Sequence, residues 1–164
     1  MEPEIRTIPS KLLIGISITT YHAENKTIDL WKQFMSRKNE IKNIPDDKLY
    51  SVQIFDPAVS MKNFTPQTRF QKWAAVEVTE IESIPDGMAS LVLSGKYAVF
   101  IHKGLWRDFP KTSQYIFGTW LPNSPYEADT REHFEVMDKK YLGPENPASE
   151  EEIWVPIRGK LADS

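Results

Sequence analysis

Few side chains in this sequence combine a reactive type with a position that could hold it away from water, and Glu135 is the foremost of them. In HFEVMD, His133 to Asp138, side chains alternate across a strand, so Phe134 and Val136 take one side while Glu135 and Met137 take the other. A carboxylate set among apolar groups is costly to ionise: its pKa rises or it finds a partner, and an organic cation is one such partner. A charge-assisted hydrogen bond is worth roughly 1.5–3 kcal/mol, and an aromatic ring over a desolvated cation adds about 0.5–2 kcal/mol. The same spacing also suits a surface strand residue paired with a cross-strand Lys, and alternation alone leaves both readings open. Rings for a pocket are plentiful, since aromatic residues make up 12% of the chain and include five Trp. Trp73 follows a polar loop and Trp106 follows Gly104 at the start of a helical pattern, so these two are expected as pocket walls. Trp31 and Trp120 sit within helix patterns that flank the same region, and Trp154 lies in a strand pattern. Of Tyr97 and Phe100, alternation sends only one toward the helices.

Other chemistries find little support. The three histidines, His22, His102 and His133, lack the i, i+4 spacing of a helical zinc motif, and there is no Cys to complete a site. No G-x-S-x-G elbow occurs, Ser94-Gly95 and Ser124-Pro125 carry no sign of a triad, and no Gly-rich phosphate loop opens a helix. No metal and no cofactor are therefore expected. The run Glu150-Glu151-Glu152 reads as a solvated loop end. A net charge of -3 without a basic run argues against a nucleic-acid partner. No apolar run reaches bilayer length and MEPEIRTIPS lacks a signal-peptide pattern, so no membrane association and a cytoplasmic location are expected.

The elements that must position Glu135 follow from hydrophobic periodicity. KLLIGISITT (11–20) reads as a strand; Ile28, Trp31, Phe34 and Met35 mark an amphipathic helix with Thr27 or Asn25 as cap; Tyr50 to Phe55 and RFQKWAAVEVTEI (69–81) read as strands. The second half repeats the order, with LVLSGKYAVFIHKG, the helical pattern RDFPKTSQYIFGTWL, EHFEVMD and EEIWVPI. The 164 residues are thus expected to form one α+β domain of two β-α-β-β halves, about 5–84 and 88–158, with mainly antiparallel sheet, two helices on one face and a cleft between the halves.

LWKQFM (30–35), GKYAVFIHKG (95–104), WLPNSPYE (120–127), HFEVMD (133–138) and EEIWVPI (151–157), in this order and spacing, resemble the GyrI-like small-molecule-binding domains, which also form the effector-binding half of AraC-type and MerR-type multidrug regulators. The resemblance spans about Lys11 to Arg158 and implies the duplicated SHS2-like fold, a cleft between the halves, and a glutamate on the cleft floor that matches Glu135. The family pattern usually has Tyr two residues on; Met137 stands there instead, a compliant apolar wall without a hydroxyl. The implied ligand is a small cationic, amphipathic or aromatic compound, held by Glu135, Met137, Trp73, Trp106, Tyr97, Trp31 and Trp120, for sensing or sequestration, without covalent catalysis. Two alternatives follow from relatives: hydrolysis of strained cyclopropanoid electrophiles with Glu135 as base or nucleophile, and inhibition of DNA gyrase by protein binding. A regulatory role would run through a protein partner, because the expected domain has no helix-turn-helix segment.

Overall fold

The computed structural model describes residues 2–24, 26–59 and 64–160. In chain order the elements are β1 (Glu4–Thr20), α1 (Thr27–Arg37), β2 (Leu49–Ile54), β3 (Phe70–Glu77), β4 (Ala89–Lys103), α2 (Phe109–Tyr115), β5 (Tyr126–Ala128), β6 (His133–Met137) and β7 (Glu150–Gly159). Short 3-10 turns follow α1 at Lys38–Glu40 and precede α2 at Trp106–Asp108, and α2 continues directly into a π-helical stretch, Ile116–Trp120. With β5 set aside, the order is β-α-β-β twice.

Every pairing is antiparallel, and the ladder β1-β3-β2-β6-β7-β4 returns from β4 to β1, so six strands close on themselves. Equivalent strands of the two halves meet at both seams, β1 with β4 and β2 with β6, as an internal two-fold requires. β5 hangs on the far end of β7.

A closed sheet has an inside and an outside, and alternation sorts the residues between them. The inside is filled by Leu13, Tyr50, Val52, Trp73, Ala75, Leu93, Tyr97, Val99, Phe134, Val136 and Trp154. Phe134 stacks on Trp154 with centroids 5.0 Å apart and meets Tyr97 edge-on at 5.0 Å. The Tyr97 hydroxyl donates to the Glu132 carbonyl, so its polar end is satisfied. On the outside, Ile14, Ile16, Ala74 and Val76 receive Leu30 and Phe34 of α1, while Ala98, Phe100, Ile153, Val155 and Ile157 receive Ile116 from the π-helical stretch after α2.

Tight closure is visible at Gly15, where a Cβ would lie 2.2 Å from the Ala74 carbonyl oxygen; only glycine lets β1 cross β3 so closely. It shows again at the β1-β4 seam, where the register slips between Ile8 and Lys11 beside Gly95, whose φ is +102°. Arg131 braces that bulge by donating to the carbonyls of Ser94 and Lys96.

Three sequence expectations are corrected. β1 begins at Glu4 and not at Lys11, since the residues before Pro9 pair with β4. The second helix is α-helical only to Tyr115, then widens to π. Thr27 is not the cap of α1 but its first helical residue, with Lys26 at the cap position without a side-chain cap bond, and Asn25, the other expected cap, lies outside the described residues. The short strand β5 carries no alternation long enough to read.

Candidate functional site

α1 covers β1 and β3, and α2 with its π extension covers β4 and β7. The outer face of the β2-β6 seam lies between these two clusters, and the residues pointing out of it share one face. The registers bring them into rows. Lys72, Gln53 and His133 lie opposite one another on β3, β2 and β6, and Ser51, Glu135 and Ile153 lie opposite one another on β2, β6 and β7. Glu135 points outward because Phe134 and Val136 on either side are drawn into the closed interior. Glu151, two residues before Ile153, shares that outward parity on β7.

Three charged groups thus converge. Glu135 is half-buried, and removal of its carboxyl from water pushes its pKa up, while the Lys72 ammonium and the Gln53 amide pull it back. Glu151, also half-buried, is pushed up to about 7 by desolvation and by the neighbouring Glu135, against the pull of Lys72. Lys72 is 9% exposed, and burial lowers its pKa while Glu135 and Glu151 raise it. Among the described residues, none of the three forms a direct ion pair with another. They feel one another across a gap.

About 7 Å farther along the strands, the same face becomes aromatic. Phe55 meets Phe70 at 5.3 Å, Phe64 at 5.6 Å and His133 at 5.3 Å; His22 meets Phe70 at 5.2 Å; and Phe117, from the π-helical stretch, reaches His133 at 6.1 Å. The wall therefore draws residues from both halves. Burial holds His133 down at about 4 and lowers His22 as well, so both imidazoles are neutral at pH 7. At the opposite end, Glu151 borders a small hollow lined also by His102, Gly104, Trp106, Tyr141, Pro144 and Ser149.

The seven side chains named from the sequence do not all meet. Glu135 and Met137 share the outer face of the seam. Trp106, 57% exposed with its Nε1 donating to Glu145, stands at the hollow beside Glu151. Trp31 packs edge-on against Phe34 of its own helix, and Trp120 packs on Phe100 and stacks on Tyr126. Trp73 and Tyr97 lie elsewhere: both point into the closed interior, away from Glu135, because Lys72 and Ala74 take the outward positions on β3 and Ala98 and Phe100 take them on β4. Lys72, Gln53, Glu151, Phe55, Phe70, His133 and Phe117 were not singled out by sequence reasoning as ligand contacts. The available signal was parity: Ser51 and Gln53 alternate with apolar residues on β2, Phe55 just past its end continues their row, and Lys72 shares a face of β3 with Phe70 and Ala74.

The chain is thus a closed antiparallel sheet that carries two helices on its outer face, with a charged and aromatic surface between them. The chain belongs to the family of GyrI-like small molecule binding domains, whose pattern matches residues 1–158. It is 30% identical over 129 residues to the transcriptional regulator BrlR of Pseudomonas aeruginosa, a match covering 78% of this chain and 45% of that protein. The chain thus spans less than half the length of that regulator. Among solved structures it resembles SAV2435 bound to tetraphenylphosphonium (TM-score 0.72, 17% identity, 97% of this chain and 95% of that one). It also resembles the EcmrR C-terminal domain (TM-score 0.69, 12% identity, 97% and 98%). Among the described residues no helix is long and apolar enough to cross a membrane.

Proposed function

We propose that the outer face of the β2-β6 seam binds small organic cations that carry aromatic rings, with Glu135 as the principal counter-charge. The observation that carries this reading is the arrangement of two outward carboxylates, Glu135 and Glu151, around a single ammonium, Lys72, with none in direct contact and a wall of aromatic side chains beside them. Such a floor is under-neutralised, and desolvated charge of one sign favours a ligand of the other. Rings of the ligand would pack on Phe55, Phe70 and Phe117 and add roughly 0.5–1.5 kcal/mol per aromatic pair beyond burial of area. Tetraphenylphosphonium bound to the similarly folded SAV2435 is a ligand of this chemistry. The biological use would be sensing or sequestration, and likeness to a transcriptional regulator supports a role in which ligand occupancy is passed to a partner protein.

Calorimetric titration with tetraphenylphosphonium tests the reading, with neutral triphenylphosphine oxide as the uncharged comparison. The phosphonium is expected to bind and the oxide to bind at least about tenfold more weakly, a difference of ~1.4 kcal/mol. Glu135→Gln should lose most of that preference. Equal affinity of the two compounds, or an unchanged preference in Glu135→Gln, would remove the basis of the proposal.

A further inference from the structure

Lys72 is out of place by the ordinary rules of a cation-binding site. Its amine stands on the same face as Glu135, where an ammonium would repel a cationic ligand, and it is 9% exposed, so it has given up most of its water. Burying an amine there is costly unless it answers something, and it feels both Glu135 and Glu151 while ion-pairing directly with neither. Its neighbours in the same row, Gln53 and His133, are uncharged, as is His22 behind it.

We propose that Lys72 is a specificity-determining residue: a tethered cation that offsets one of the two facing carboxylates, leaves the site one negative charge in excess, and thereby matches it to ligands bearing a single positive charge. The inference rests on the cation-binding reading above. Without Lys72, Glu135 and Glu151 would face the ligand with two negative charges, and the best-matched ligand would be a dication. With Lys72 in place a dication brings one unanswered charge into a desolvated site, and like charges brought together there weaken binding. The aromatic wall is indifferent to this count, since rings attract the faces of mono- and dications alike. Charge selection therefore falls to the lysine.

The decisive measurement is a ratio of affinities at pH 8.5, monocationic tetraphenylphosphonium against dicationic methyl viologen, by titration calorimetry. The intact protein should prefer the monocation. Lys72→Met, which keeps the length of the side chain, should move the ratio toward the dication by about tenfold or more. Lys72→Arg should keep the original ratio, and the double variant Lys72→Met/Glu151→Gln, which again has one carboxylate in excess, should restore monocation preference. Should Lys72→Met fail to fold, the same comparison is made with Lys72→Gln. A ratio unchanged by loss of the amine overturns the role given to Lys72 while leaving cation binding intact; failure of the unmodified protein to bind either cation overturns the cation reading itself, and this inference with it.

Discussion

Replacing Glu151 by Gln should make the folded protein more stable, and only at neutral to alkaline pH. Glutamine keeps the shape of the side chain and removes the charge that the fold holds at a disadvantage. An acid raised from 4.5 to about 7 by folding contributes stability that is fully present below pH 4.5, where it is protonated in both states. That contribution is lost as pH climbs through 7, because the folded protein must then ionise a desolvated carboxyl beside Glu135. The interval is worth roughly 3 kcal/mol at its limit. Glu151 keeps partial contact with solvent and attracts Lys72, so about 2 kcal/mol is the figure to expect. For a domain of this size that is a rise in Tm of about 4–8 °C. Urea denaturation of both proteins at pH 5 and pH 8 provides the assay. The difference between them should be small at the lower pH and near its full value at the higher. A Glu151→Gln protein that is no more stable at pH 8, or that shows the same gain at both pH values, would refute the placement of this carboxyl in a desolvated cluster.

Affinity for tetraphenylphosphonium should rise by up to about tenfold per pH unit between pH 6 and 7 and level off above 8, as Glu151 gives up its proton to let a cation in. His133, near 4, does not change charge in that window, so the profile should flatten in Glu151→Gln when followed by calorimetry. Phe134→Ala should cost about 3–5 kcal/mol in urea unfolding. It removes the ring on which Trp154, Tyr97 and Tyr50 converge inside the closed sheet.

The repeated β-α-β-β order was legible in the sequence because each element has its own period: alternation in Tyr50 to Phe55 and in HFEVMD, helical spacing in Ile28 to Met35. That Glu135 takes the face opposite Phe134 and Val136 was legible for the same reason. What could not be read was which side of a strand becomes the interior of the closed sheet. In QKWAAVE, Trp73 and Lys72 occupy opposite faces, and pattern alone makes the large ring the better pocket wall. The structure reverses this. The interior is wide enough for stacked aromatics, while the outer position under α1 is filled by Ala74, small enough to let Leu30 and Phe34 approach. The convergence of Lys72, Gln53, Glu135 and Glu151 depends on registers across four strands, between residues as much as 98 positions apart, and no local window contains that relation.

Six strands joined in a ring also determine how this domain can speak to anything else. An open sheet offers its last strand as a template that a neighbour can extend, with backbone amides and carbonyls in search of partners. Here that route is closed along the ring, and among the described residues only the three-residue β5 ends a ladder. A protein that responds to ligand occupancy would have to read the loops and the solvent-facing sides of the helices. Those helices belong to opposite halves of the chain and pack on either side of the β2-β6 seam, so a partner that touched both would read the two halves together.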